Sequence, residues 1–125
     1  MDFSKAGVIL NTENYEACVR FYGEVLELPL LYEIDRPGEQ LTCFDMGGVY
    51  LMVETGGEAH PEVKPIDRCP TKFRFNVADV DAVSARLRGK GVTIKVLHYD
   101  WGTTAEFADP DGNRCALRSD EGFGV

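Results

Sequence analysis

Apolar and polar residues alternate along short stretches of this chain, and the spacing changes to that of a helix in two places. Residues 8–12 and 73–77 alternate in the way of strands that bury one face. Each stretch precedes an Asn or Asp able to cap a helix and then a run with helical apolar spacing, at residues 15–24 and 80–88. Three strand-like segments follow each helix, which predicts the order βαβββ twice. These segments cover residues 30–34, 41–46 and 49–53 in the first half and 92–97, 104–107 and 114–117 in the second.

The two halves also align with each other in sequence. Residues 8–12 align with residues 73–77 at an offset of 65, so that Asn11 falls on Asn76. The strand segments that end the two halves align at an offset of 64. Four segments in the same order and nearly the same register indicate an internal duplication. We therefore predict a single domain over residues 1–125, with one module at about 5–56, a linker rich in Gly, Glu and Pro at about 55–70, and a second module at about 69–119.

The composition narrows the classes of function. Of the 125 residues, 44% are hydrophobic and 27% are charged, as in an ordinary globular protein. The formal net charge of −8 repels polyanions, which argues against nucleic acid and anionic membrane surfaces as partners. No apolar run reaches the ~18 residues of a membrane span, and the first residues do not read as a signal peptide, so we expect a cytoplasmic protein. The four cysteines form no CxxC pair and are expected to be reduced thiols.

Two segments resemble those of a known superfamily. Phe21-Tyr22 and Val25-Leu26 stand near the end of the first predicted helix, and residues 107–113, which read FADPDGN, precede the last predicted strand. Together with the doubled βαβββ pattern they resemble the vicinal oxygen chelate superfamily, which includes glyoxalase I, bleomycin-resistance proteins and extradiol dioxygenases. The resemblance covers about residues 7–117. It implies an α+β fold in which two tandem βαβββ modules form a concave, cupped sheet with the helices on the outside.

The resemblance also implies four metal-ligand positions, where the enzymes of this superfamily carry His, Glu or Gln. By register these positions are Gly7 and Met52 in the first module and Lys72 and Ala116 in the second. None of the four supplies the oxygen or imidazole ligand that holds a hard divalent cation. A register shift of two residues would bring in Glu54 alone. We therefore expect no bound metal and no cofactor.

Strand alternation predicts which side chains face the concave side of the sheet, where they would contact a ligand. The set combines cations with aromatic and amide groups, so the expected ligand is anionic or contains an aromatic ring. Its members are Asn11, Tyr50, Met52, Lys72, Arg74, Asn76, Trp101, Arg114 and Arg118. Two alternatives stay open: Arg114 and Arg118 pair with Glu106 or Glu54 across strands, or the Trp101 ring is buried in a turn.

Several functions are compatible with these residues. The first is a metal-free binding protein of the bleomycin-resistance type, which sequesters a small molecule in the cleft between the modules; the resemblance also implies a homodimer. The second is a metal-dependent glyoxalase-type lyase or isomerase, or a dioxygenase, with atypical ligands. A metal-free enzyme would use Tyr50, Tyr99 or Glu106 as acid or base, and a dimeric module without a ligand is a further alternative. His60 and His98 adjoin no nucleophile motif and are interpreted as solvated residues, so binding is favoured over catalysis.

Overall fold

The chain forms two compact units with the same order of elements. The computed structural model describes residues 1–124, and the units comprise Met1–Ala59 and the residues from His60 onward. The first unit contains strand β1 (Gly7–Thr12), helix α1 (Tyr15–Arg20), a π-helical turn (Phe21–Val25), and strands β2 (Leu30–Arg36), β3 (Glu39–Asp45) and β4 (Tyr50–Thr55). The second unit contains strand β5 (Phe73–Val77), helix α2 (Val80–Gly89), and strands β6 (Lys95–Tyr99), β7 (Gly102–Ala108) and β8 (Arg114–Ser119).

Each unit builds one four-stranded sheet of mixed direction. The strand order is β1-β4-β3-β2 in the first unit and β5-β8-β7-β6 in the second. The first and last strands of each unit pair in parallel, and the other neighbours pair antiparallel. A parallel pair needs a long connection, which the helix and the two intervening strands provide. The predicted α+β fold with two tandem βαβββ modules is therefore confirmed.

One face of each sheet is covered by the helix of its unit, and we call the other one the open face. Along β1, Thr12 is buried and Val8 and Leu10 are partly buried, whereas the residues between them are exposed. The Tyr15 hydroxyl of α1 lies 2.7 Å from the Thr42 hydroxyl, on the same side of the sheet as Leu10. The predicted alternation is confirmed. The open faces therefore carry Gly7, Ile9 and Asn11 in the first unit and Arg74 and Asn76 in the second.

The first helix is shorter than the sequence predicts. The pattern over residues 15–24 predicts a regular helix, but α1 ends at Arg20 and the turn Phe21–Val25 is π-helical. The Leu26 N–H donates to the Phe21 carbonyl at 2.9 Å, a spacing of five residues. Apolar periodicity does not distinguish these two backbone forms over a single turn, and π-helical turns are frequent at functional sites.

The strand after α2 begins later than predicted. The segment 92–97 was expected to be extended, but Val92 still completes the end of the helix, since its N–H donates to the Leu87 carbonyl at 3.0 Å. Strand β6 starts only at Lys95.

Within residues 1–124, none of the helices is both long and apolar enough to cross a lipid bilayer.

The turn before β8 is held together by the buried side chain of Asp109. Its Oδ1 accepts hydrogen bonds from the main-chain N–H groups of Asp111 and Asn113, both at 2.9 Å, and its Oδ2 accepts one from Asn113 Nδ2 at 2.8 Å. The predicted linker crosses this turn, because the His60 N–H donates to the Asp111 carbonyl at 3.0 Å. The FADPDGN segment is therefore a structural turn that also fastens the linker.

We expect Asp109→Ala to lower the free energy of unfolding by about 2–4 kcal/mol, because buried N–H groups lose their acceptor. Chemical denaturation followed by circular dichroism measures this change. Asp67→Ala removes an exposed loop carboxylate and is the control, with an expected change below about 0.5 kcal/mol. Equal losses in the two variants would contradict a structural role for Asp109.

Candidate functional site

A pocket of about 580 Å³ lies on the open face of the first unit. Strands β2, β3 and β4 form its floor, because Tyr32 pairs with Cys43 and Cys43 pairs with Met52 across the sheet. In the next row Asp45 pairs with Tyr50. The remaining lining comes from Lys5, Ala6, Leu31, Gly48 and Val49. Apolar and aromatic side chains thus surround a few polar groups, which is the usual composition of a small-molecule site.

The ring of Tyr50 fills the space directly over Gly7. These two residues are partners in the parallel ladder between β1 and β4. A Cβ atom at position 7 would overlap ring carbons Cδ1, Cε1 and Cζ of Tyr50. The ring can lie there only because residue 7 has no side chain, a common reason for glycine at a close approach. A position that the resemblance assigns to a metal ligand is therefore covered by an aromatic wall of the pocket.

Two polar groups on the pocket floor are held in their protonated form. Cys43 is only 2% exposed, and burial raises the pKa of its thiol. Desolvation, and then the neighbouring Cys43, raise the pKa of the Tyr32 hydroxyl, which is hydrogen-bonded to the Cys43 side chain. The Asp45 carboxylate is engaged by its own turn, since Oδ1 accepts from the Gly47 N–H at 2.9 Å. At neutral pH the floor therefore presents a neutral thiol and a neutral hydroxyl, with Lys5 as the cation of the lining.

The open face of the second unit carries charged side chains instead. Arg74 on β5 and Glu106 on β7 both pair with Ala116 on β8, so the three residues form one row across the sheet. Lys72 precedes β5, and its Nζ lies 3.3 Å from Glu106 Oε1. Lys72, Arg74 and Glu106 therefore form one group of charges on this face.

Arg118 is buried and makes its hydrogen bonds within the second unit. Only 4% of the residue is exposed. Its Nη1 donates to the carbonyl and hydroxyl oxygens of Ser119, both at 2.6 Å, and to the Glu121 carbonyl at 3.1 Å. Its Nη2 donates to the Trp101 carbonyl at 3.2 Å. Arg118 therefore bonds to main-chain and hydroxyl oxygens, and not to the Glu106 or Glu54 carboxylate that the sequence alternative names. Through these bonds it connects the C-terminal segment to the sheet.

Trp101 lies at the surface and stacks on Tyr99. The two ring centroids are 4.7 Å apart, the planes differ by 6°, and Trp101 is 53% exposed, so the alternative of a buried ring is wrong. The Arg118 guanidinium lies 4.9 Å from the Trp101 ring centroid and 5.7 Å from that of Phe123. The Arg74 guanidinium lies 5.8 Å from the Phe123 centroid. Aromatic rings and guanidinium groups therefore alternate along this part of the second unit.

Two further residues of the predicted set hold the fold together. Asn11 Nδ2 donates to the Thr55 carbonyl at 2.9 Å and so joins the ends of β1 and β4. Arg114 Nη1 donates to the Cys69 carbonyl at 3.2 Å and so fastens the end of the linker.

Asn76 is exposed on β5, opposite Arg118 in the ladder. All four cysteines are free and buried.

The residues at the four implied metal positions do not fit a divalent cation. The Gly7 position is covered by the Tyr50 ring, and Ala116 offers no donor atom. Met52 offers only a soft thioether, and the Lys72 ammonium is itself a cation and contacts Glu106. Within residues 1–124, no group of three or more His, Cys, Asp or Glu side chains is arranged to hold a metal ion.

The sequence pattern did not indicate several residues of the pocket, nor the Phe123 ring beside Arg74 and Arg118. Tyr32 and Leu31 escaped notice because a register irregularity between Leu30 and Tyr32 interrupts the alternation in β2. Cys43, expected only to be one of four reduced thiols, is buried and also lines the pocket floor. Phe123 lies beyond the last predicted strand, where no periodic signal exists.

Residues 6–117 match the model of the Glyoxalase/Bleomycin resistance protein/Dioxygenase superfamily. The glutathione transferase FosA of Serratia marcescens is 34% identical over 110 residues, which cover 86% of this chain and 74% of that protein.

Two solved structures illustrate how widely this fold is shared. A glyoxalase family protein from Enterococcus faecalis is 26% identical with a TM-score of 0.72, and the match covers 94% of this chain and 99% of that one. TnmS3, an antibiotic binding protein from Streptomyces sp. CB03234, is 24% identical with a TM-score of 0.74, and the match covers 95% of this chain and 98% of that one. The second likeness concerns the fold alone.

We expect Gly7→Ala to destabilise the protein by about 1–3 kcal/mol, because the added methyl group must displace the Tyr50 ring. In a Tyr50→Ala background the same change should cost less than about 0.5 kcal/mol, since the overlap is gone. A double-mutant cycle by urea denaturation measures the coupling. Gly89→Ala, at the end of α2 with open space around it, is the control and should be neutral or slightly stabilising. Additive losses at Gly7 and Tyr50 would contradict the contact.

We expect Cys43 to make stability fall at alkaline pH. Burial raises the pKa of the Cys43 thiol in the folded state, so the unfolded chain loses the thiol proton at a lower pH than the folded chain does. The stabilising contribution is complete below the ordinary thiol pKa and is lost as the pH rises above it. Urea denaturation at a series of pH values between about 7 and 10 should give a shallower decline for Cys43→Ala than for the wild type. Met52→Ala, which removes a non-titrating side chain from the same floor, should keep the wild-type slope. Parallel slopes for wild type and Cys43→Ala would contradict this.

Proposed function

Because this chain belongs to the Glyoxalase/Bleomycin resistance protein/Dioxygenase superfamily yet has unsuitable residues at the four implied metal positions, we propose that it is a metal-free small-molecule-binding protein. The observation that carries the proposal is the Tyr50 ring, which lies over Gly7 and turns the first of these positions into a pocket wall. An aromatic wall at a metal-ligand position is suited to holding a ligand by contact.

The pocket chemistry supports an aromatic or otherwise planar ligand body. Tyr32, Tyr50 and Met52 offer flat or polarisable surfaces, and such surfaces bind rings by stacking and by sulfur–aromatic contact. The Tyr32 hydroxyl and the Lys5 ammonium would orient polar substituents. A volume of about 580 Å³ is within the usual range for a small-molecule site. The mechanism would be sequestration, in which affinity comes from burial of the ring and no bond is made or broken.

The likeness to FosA favours a second candidate, a glutathione transferase. This function would require the chain to bind glutathione and an electrophile. The thiol of glutathione would then disappear only in the presence of protein and electrophile, with or without an added metal. Sequestration predicts no such loss, so the two functions differ in a direct measurement.

We expect protein purified without chelators to contain less than about 0.1 equivalent of any divalent metal, because the donor set does not fit one. Elemental analysis measures this content. Titration with Ni, Zn, Mn and Fe should leave the fluorescence of Trp101, the single tryptophan, unchanged. Stoichiometric metal, or metal-dependent consumption of glutathione, would contradict metal-free binding.

We expect the pocket to bind 2-naphthamide, a neutral planar probe, and Tyr50→Ala to weaken this binding about tenfold through loss of a stacking wall. Isothermal titration calorimetry measures the affinity, and Met52→Ala should weaken it to a smaller degree. Ile66→Ala removes an exposed apolar side chain from the other unit and is the control. Equal affinities of wild type and Tyr50→Ala would contradict the use of this pocket.

A further inference from the structure

We infer that Leu31, the extra residue of a β-bulge in strand β2, is the side chain by which the pocket of the first unit selects ligands with two fused rings over ligands with one. The inference deepens the proposed function, on which it rests, by naming the shape of the ligand body and the residue that selects it. It stands on the irregular pairing of β2 and on the presence of both Leu31 and Tyr32 in the pocket lining.

The ladder between β2 and β3 contains one extra residue on β2. Leu30 pairs with Phe44. The next pair of the ladder is Tyr32 with Cys43, so two steps along β2 match one step along β3. This is the pattern of a β-bulge, in which two residues of one strand lie opposite a single residue of its partner. A bulge turns a side chain away from the direction that strict alternation would give it.

The bulge places Leu31 and Tyr32 on the same face of the sheet. Both line the pocket on the open face, although consecutive residues of a regular strand point to opposite faces. Leu30 lies on the other face, where it lines a separate cavity beside Tyr15 and Val19 of α1. The pocket thus gains the Leu31 side chain without losing that of Tyr32.

Leu31 and Tyr32 form a wall that stands across the pocket from the Tyr50 ring. That ring lies over Gly7, whose strand β1 is at one edge of the sheet. Leu31 and Tyr32 belong to β2, at the opposite edge, and strands β4 and β3 lie between them and β1. Neighbouring strands are ~4.8 Å apart, so three spacings separate the two walls by roughly 14 Å.

A span of this size favours a ligand body of more than one ring. The centroids of stacked rings are ~4.5–7 Å apart, so a single ring stacked on Tyr50 leaves Leu31 largely uncovered. A second fused ring extends across the floor of the pocket and contacts Leu31. Because Leu31 is 54% exposed, this contact removes apolar surface from water and stabilises the bound state.

The experiment compares 2-naphthamide with benzamide, two neutral probes that differ by one ring. Isothermal titration calorimetry measures the affinity for 2-naphthamide, and displacement of 2-naphthamide measures that for benzamide. We expect Leu31→Ala to lower the affinity for 2-naphthamide about three- to tenfold, since about half of the apolar surface of a leucine is lost from the contact. The affinity for benzamide should change less than about twofold. Equal losses for the two probes would overturn selection by ring number.

Leu30→Ala is the matched control. Leu30 is the same residue type at the preceding position and is 56% exposed, but it lies on the face that carries α1. Its substitution should leave the affinity for both probes unchanged. Equal losses in Leu30→Ala and Leu31→Ala would show a general effect on β2 and would overturn the inference.

Deletion of Leu31 tests the bulge itself. The pairs on either side of Leu31 then become neighbours in a regular ladder, so the fold is kept and Tyr32 still lies on the open face. We expect the deletion to lower the affinity for 2-naphthamide at least as much as Leu31→Ala does. Wild-type affinity in the deletion variant would overturn the inference.

The outcomes also separate this inference from the proposed function. Binding of 2-naphthamide that Tyr50→Ala weakens and Leu31→Ala does not would overturn the inference and leave the proposed function standing. Absence of 2-naphthamide binding by the wild type would overturn both.

Discussion

Parallel pairing between the first and last strands of each unit is the constraint on which the other features depend. A parallel pair cannot be closed by a tight turn, so the chain must pass through a helix and two strands before it returns to the sheet. In the first unit this return brings Tyr50 beside Gly7, and in the second it brings Ala116 beside Arg74. The pocket wall and the charged row are thus consequences of one topological requirement, met twice.

The two units keep the same pairing but have diverged in chemistry at equivalent positions. Across the open face of the first unit the row reads Ile9, Met52, Cys43 and Tyr32. The equivalent row of the second unit reads Arg74, Ala116, Glu106 and Lys95. The apolar and aromatic row of the first unit therefore corresponds to a charged row in the second. At the equivalent position on the last strand, the larger Met52 corresponds to the small Ala116. The duplication therefore preserves the backbone pairing while the side chains of each open face differ in chemistry.

The sequence predicted what depends on periodicity and missed what depends on single contacts. The order of elements and the exposed positions of Arg74 and Asn76 follow from alternation, which the duplication reinforces. The π-helical turn and the irregularity in β2 leave the apolar pattern nearly unchanged, so their effects on α1 and on Tyr32 were not foreseen. The place of the Tyr50 ring depends on the absence of a single Cβ atom at residue 7, which no pattern reports.

Arg118 illustrates why an inward-facing cation is weak support for a ligand contact. Alternation correctly assigns it to the open face, since it pairs with Asn76 and Thr104 there. Yet a buried guanidinium must satisfy its donors, and the acceptors within reach are oxygens of Ser119, Glu121 and Trp101. Gly102 supports this arrangement, because a Cβ there would overlap the guanidinium. The discriminating signal lies in these neighbours, because a cation whose donors are already satisfied by main-chain oxygens has none left for a ligand.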